Sequence, residues 1–301
     1  MNPVPSPLTF SARLAAIAQR FGIGGRAPRQ VLERASRLQL PFQPLPVPPA
    51  SIWWERGAPL HRLVDLPRDA LSGPVQDDKQ AARAALMGVV ETHRRCLSRF
   101  DLREVDGLSG DDPDTGACAR FEDYVAHLPH RRVRIISYKD FVKAIGLALP
   151  RFPAVEPVAL RQASWRGERL YWAGEQHVEA FASAIAYARF RGLELVAPAE
   201  LTHYRLSEDG VRALDRRYHV LAMPHQAWND PAFMRLLLDT GMPYARLSLL
   251  RAAASPEFLL LPKEDAQATA LGAGLRLAGA PDVVAYLRAL ENSGEDPRRS
   301  R

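Results

Sequence analysis

The sequence predicts an α/β or α+β fold: a mixed β-sheet covered by helices, with an N-terminal helical arm. Three observations lead there. Short apolar runs with strand-like composition alternate with helix-length amphipathic stretches along most of the chain, which is the pattern of a layered α/β structure. In the long apolar stretch 174–191, Val178, Phe181, Ala182, Ile185 and Ala188 recur at three-and-four spacing, while Ala180, Ala184 and Tyr187 fill the opposite side, so the predicted helix is covered on most sides. After it come strand-like runs at 193–197 and 201–206, joined by a short link that suits a paired and therefore mixed sheet.

Taken in order, residues 8–21 predict an amphipathic helix with Leu8, Leu14, Ile17, Ala18 and Phe21 on one side, ended by Gly22, Gly24 and Gly25. Pro28 opens a second helix at 30–40. Together they form a basic helical arm over residues 1–40. Pro41, Pro44, Pro46, Pro48 and Pro49 make 41–50 a proline-rich linker, because proline lacks a backbone donor and favours extended chain. The main domain is expected at 51–291. It begins with a strand pair at 52–56 and 60–66, then a helix at 77–97, a polar loop at 106–116, a strand at 133–138 and a helix at 139–149. Beyond the central helix, Ser207 caps a helix at 208–217 and a strand follows at 218–223. Asp230-Pro231 opens a further helix, closed by Gly241 and Pro243. Strands at 244–250 and 258–261, helices at 263–271 and 281–290, and a disordered tail at 292–301 complete the reading.

Composition narrows the function classes. The chain has 301 residues, 47% of them hydrophobic, which is enough to bury a core. It contains no apolar run long enough for a bilayer and no signal peptide. Two cysteines make no disulfide framework, so the expected location is cytoplasmic. Only Lys79, Lys139, Lys143 and Lys263 are lysines among the 40 basic residues. That bias fits the codon usage of a GC-rich genome and a bacterial-type protein, and says little about nucleic acid. Charge placement says more. Arg13, Arg20, Arg26, Arg29, Arg34 and Arg37 stand against Glu33 alone, so the front carries most of the formal net charge of +6. Contact with nucleic acid or an anionic membrane is therefore assigned to the arm, through Arg13, Arg20, Arg26 and Arg29.

The motifs for common chemistries fail in detail. Gly272, Gly274 and Gly279 resemble a dinucleotide loop, but Leu277 stands where the third glycine belongs, and a tight turn at a helix terminus is expected instead. His93 and Cys96, three apart on the predicted helix 77–97, do not reach a zinc pattern with Cys118, His127 and His130. Asp106, Asp111, Asp112 and Asp114 lack the calcium-loop order, and no G-x-S-x-G is present. No metal and no cofactor is expected. The remaining cluster is diffuse: His177, His203, Tyr204, His219, His225, Trp228 and Asp230. If the strand ending at Met223 ran parallel to its neighbours, the loop 224–230 would lie where ligands bind. Trp53, Trp54 and Trp228 are the candidate ligand or partner contacts. The expected function is a partner- or ligand-binding domain without catalytic machinery. A hydrolase or transferase using His177, His219, His225 and Asp230 is the alternative, and polyanion binding by the arm a further one.

Overall fold

A computed structural model describes residues 25–110, 118–128, 135–150, 156–248 and 256–294. Its elements, in chain order, begin with α1 (Arg26–Ser36), β1 (Leu71–Ser72), α2 (Gln76–Met87), β2 (Val90–Asp101) and β3 (Gly107–Leu108). There follow α3 (Phe121–His127), α4 (Tyr138–Ala148), β4 (Val158–Ala163), β5 (Leu170–Trp172), α5 (Val178–Arg191) and β6 (Val196–Leu206). The last are α6 (Glu208–Arg217), β7 (Tyr218–Met223), α7 (Pro231–Leu238), β8 (Ala245–Leu247), β9 (Glu257–Pro262), α8 (Ala266–Leu277) and α9 (Val283–Gly294). The fold is mixed α/β with two sheets, each covered by helices. The chain forms two compact units, each assembled from separated stretches: Met1–Leu45, Arg62–Val89 and Ser207–Ala289 in one, and Pro46–His61, Val90–Leu206 and Leu290–Arg301 in the other.

The first unit holds an antiparallel sheet in the order β1-β8-β9-β7. Every residue of β7 is buried, as its unbroken apolar run requires of a strand covered on both faces. Helix α8 is buried from Ala268 to Leu275; its Ala and Gly residues leave room for neighbours on nearly every side. One of those neighbours is α1, which contributes Val31, Leu32 and Ala35 to the same apolar core as Leu271, Leu275 and Phe233. Residues 26–36 thus form an N-terminal helix packed into this core. Three-and-four spacing decides the matter: an apolar stripe on so short a helix is stable only when covered.

The second unit holds a mixed sheet in the order β2-β6-β4-β5-β3, with β2/β6 and β4/β5 antiparallel and β4/β6 and β3/β5 parallel. Helix α5 covers one face, burying Phe181, Ile185 and Ala188, and it ends at Gly192 in the left-handed conformation that a residue without Cβ adopts at little cost. Trp172 stacks on Phe181 with ring centroids 4.1 Å apart, joining sheet to helix.

Several boundaries differ from expectation for identifiable reasons. The helix expected at 77–97 ends at Met87, and β2 begins at Val90. Gly88 caps the helix, and its carbonyl sits so close to Gly210 that a side chain there would collide with it. In place of the two strands expected at 193–197 and 201–206 the chain forms the single strand β6, which begins only at Val196. Pro198 does not break it because β2 bulges opposite, between Leu97 and Phe100, and β4 pairs only from Ala199 onward. The expected strand pair at 52–56 and 60–66 is an isolated bridge from Trp53 to Leu108 followed by a 3₁₀ turn at Leu60–Asp65. Gly272 and Gly274 lie inside α8 and not in a turn. Residues 135–137 are not strand, while the rest of the 133–138 prediction, the 8–21 helix and the end of the tail fall largely outside the described residues.

Candidate functional site

The loop after β7 was the sequence's best location, and the structure builds a charged cluster there. β7 is antiparallel to β9, so the rule for carboxyl ends of parallel strands does not apply. Instead, pairing places Met223 opposite Glu257, at the start of β9. The Glu257 side chain is only 7% exposed, and a buried carboxylate requires a partner. Arg246 on β8 supplies a two-pronged one, its Nε and Nη2 donating to the two carboxylate oxygens, the latter at 2.8 Å. The Arg246 guanidinium lies 4.1 Å from the Trp228 ring centroid, and Trp228 meets Phe233 edge-on. His225, half exposed, brings Nδ1 to 3.7 Å from Glu257 Oε1. The cluster is therefore a neutralised ion pair under an indole lid, with His225 as its open corner. Neither Arg246 nor Glu257 was singled out in the sequence. Glu257 was detectable: it is the one charge opening the otherwise apolar run Phe258–Leu261.

The other candidates do not join it. Asp230 caps α7, accepting from Phe233 N at 2.7 Å. His219 is buried on β7, and burial, reinforced by the positive charges of Arg276 and Lys263, pushes its pKa down to about 3. Gly272 lies directly against it; a Cβ there would come within 2.9 Å of the ring. His219 is a neutral packing residue of the core. His177 belongs to the other unit, exposed at the N-terminus of α5 in a left-handed conformation, φ 55°, without capping it. The four groups of the catalytic alternative thus do not converge within either unit.

Trp53 and Trp54, expected as contact residues, are both buried. The chain is not in a regular strand there, so the inward–outward alternation that would expose one of them does not operate. Trp53 packs edge-on against Tyr124, while Trp54 meets His61 and Tyr204 at a tilt and Tyr171 edge-on. Arg166 fills that aromatic box from the same chain, 5.5 Å from the Trp54 centroid, and donates to Trp53 O and Tyr171 Oη, both at 3.0 Å. Arg26 and Arg29 are exposed on α1; Arg13 and Arg20 lie outside the described residues. Cys96 is exposed on β2, not on a helix beside His93, and Cys118 is buried.

The second surface that sequence reasoning missed is β2 itself. It is an edge strand of twelve residues, exposed without interruption from Glu91 to Cys96 and again at Ser98 and Arg99. Ser207 N donates to Val89 O, which sets the phase of the antiparallel ladder. By alternation the residues facing β6 are Glu91, His93, Arg95 and Leu97. Thr92, Arg94 and Cys96 therefore turn their N–H and C=O groups to the open edge, framed by the cations of Arg94, Arg95 and Arg99.

Fold and sites together define a two-unit mixed α/β protein with a long, basic open sheet edge. The chain belongs to the family described as a family of unknown function (DUF6685), whose profile matches residues 95–300. No curated protein and no solved structure matches it. Among the described residues no helix is long and apolar enough to cross a membrane.

Proposed function

We propose that this protein is a non-catalytic binding protein, bacterial-type and cytoplasmic, that takes up an extended acidic segment of a protein partner along β2. One observation carries the reading: among the described residues the edge of β2 is long, without a pairing strand and exposed on both faces. Strand addition uses main-chain donors and acceptors for affinity and flanking side chains for choice of partner. Thr92, Arg94 and Cys96 offer the former. Arg94, Arg95 and Arg99, cations exposed along β2, repel a basic strand and attract an acidic one. The alternation of backbone groups along this edge matches a peptide and not a nucleic acid, whose phosphates carry no such ladder. Location in the cytoplasm is supported by the two cysteines, which form no disulfide with each other.

The test is fluorescence anisotropy with a labelled peptide of alternating Val and Glu. Binding is expected to weaken as salt rises, and to fall about tenfold in Thr92→Pro, which removes an outward N–H without touching the bonds to β6 or any charge. Equal binding by Thr92→Pro, or by a peptide in which Lys replaces Glu, refutes strand addition. Binding of single-stranded DNA with loss of peptide binding would favour a nucleic-acid reading instead.

A further inference from the structure

We infer that the face of the second unit's sheet carries a two-histidine site for a divalent late transition metal ion, formed by His93 and His203. The two are direct cross-strand partners in the β2/β6 ladder, so their side chains rise from the same face. By the same phase that opens the edge of β2, they form a hydrogen-bonded pair, with Cα atoms about 5.5 Å apart. Two imidazoles at that spacing reach a common ion at the usual nitrogen–metal distance of about 2.0–2.1 Å.

The site has the features a ligand set needs. His203 Nε2 is shielded from solvent and has no hydrogen-bond partner, a cost that a ligand would relieve. The His93 side chain is 54% exposed, which leaves the ion a path in. Glu91, two residues along the same strand and so on the same face, places Oε2 at 3.7 Å from His93 Nε2. The next residue across the sheet is Gln162, paired with His203 on β4, and its Nε2 holds Glu168 at 3.1 Å. Glu168 and Glu91 offset the nearby cations Arg95 and Arg205, the second of which lies 3.8 Å from Glu91. Among the described residues no three histidine, cysteine or carboxylate groups already converge on one point. The ion is thus held by the two imidazoles alone, with water completing the shell. Imidazole donors select Zn²⁺, Cu²⁺ or Ni²⁺ over Mg²⁺ or Ca²⁺.

The experiment uses the untagged full chain. Calorimetry with Zn²⁺ is expected to show one equivalent bound, at least tenfold more weakly in His93→Gln and in His203→Gln, and unchanged in His177→Gln, an exposed histidine elsewhere. With Cu²⁺ as the probe, the electron paramagnetic resonance spectrum is expected to report two imidazole nitrogens in the parent and one in His93→Gln. His93 is a surface residue, so this variant decides the matter even if His203→Gln folds poorly. Unchanged Zn²⁺ affinity in His93→Gln, or a Cu²⁺ spectrum identical in parent and variant, overturns the proposal.

Discussion

Replacing Gly274 by alanine puts the packing of α1 on α8 to the test, because two effects of known size oppose each other there. In a helix interior alanine is better than glycine by about 1 kcal/mol, so propensity alone predicts stabilisation. But a Cβ at Gly274 would lie 2.5 Å from Ala35 Cβ, 2.7 Å from the Leu32 carbonyl oxygen and 3.2 Å from Ser36 N. Two of those atoms belong to the backbone of α1 and cannot swing aside as a side chain would. The helix as a whole must retreat, loosening Val31, Leu32 and Ala35, and overpacking of this kind costs about 1–3 kcal/mol. The net expectation for Gly274→Ala is a loss of about 0–2 kcal/mol after the propensity gain is taken off, where propensity alone predicts a gain. Gly146, exposed in α4 with nothing within 4 Å of a built Cβ, supplies the control. Gly146→Ala should gain about 0.5–1 kcal/mol from the same chemical change. Urea unfolding of the two variants against the parent, with amide exchange over residues 26–36, reads both. A Gly274→Ala protein as stable as the parent, with α1 amides equally protected, would refute the close approach.

The other expectations concern single groups. Ile185→Ala should lower stability by roughly 2–5 kcal/mol in urea unfolding, since Ile185 is wholly buried against the second unit's sheet. Asp230→Asn should melt like the parent, because an amide oxygen also accepts from Phe233 N, whereas Asp230→Ala should lose about 1 kcal/mol. His219 binds no proton in the folded state until about pH 3 but does so near its ordinary value of 6.5 when unfolded. The unfolded chain therefore holds the extra proton between those values, and stability is full above the upper one. It declines by up to about 1.4 kcal/mol per pH unit as pH falls. In His219→Gln the pH-dependence of stability should lose that one-proton slope. Glu257→Gln should cost about 3–5 kcal/mol by leaving the Arg246 charge short of its partner, and an unchanged urea midpoint would show that the fork contributes nothing.

The fold class was legible because periodicity survives in the strongest elements. Helix α5 has a three-and-four stripe long enough to stand out, and Asp230-Pro231 marks the start of α7 as clearly as any cap can. What failed was local sequence whose meaning depends on a distant neighbour. Residues 88–97 read as helix because Ala84, Ala85, Met87 and Val90 keep helical spacing; the helix stops at Gly88, and Gly210 on α6 packs too close to the Gly88 carbonyl to carry a side chain. Gly272 and Gly274 read as punctuation because a glycine's need for space is invisible until His219 and α1 are in place beside it. At the site, His225 and Trp228 were found by residue type alone. Their partners Arg246 and Glu257 sit on β8 and β9, brought there by sheet register, which no local pattern encodes. The open edge of β2 was invisible for the same reason: whether a strand lies at an edge depends on strand order.

The assembly of the first unit from separated stretches bears on how the chain is made. Helix α1 leaves the ribosome well ahead of α8, with Val31, Leu32 and Ala35 in need of cover before the α8 surface around Gly274 is made. At ordinary elongation rates that interval is on the order of ten seconds or longer. Before it ends, the contiguous run from β2 to β6 has all its own strands at hand and is free to fold first. Helix α1 must wait as an uncovered apolar stripe, so the nascent chain carries a sticky segment until its shelter is made. A prematurely terminated product lacking α8 would keep that stripe exposed, which makes such truncation a source of aggregation and not merely of lost function.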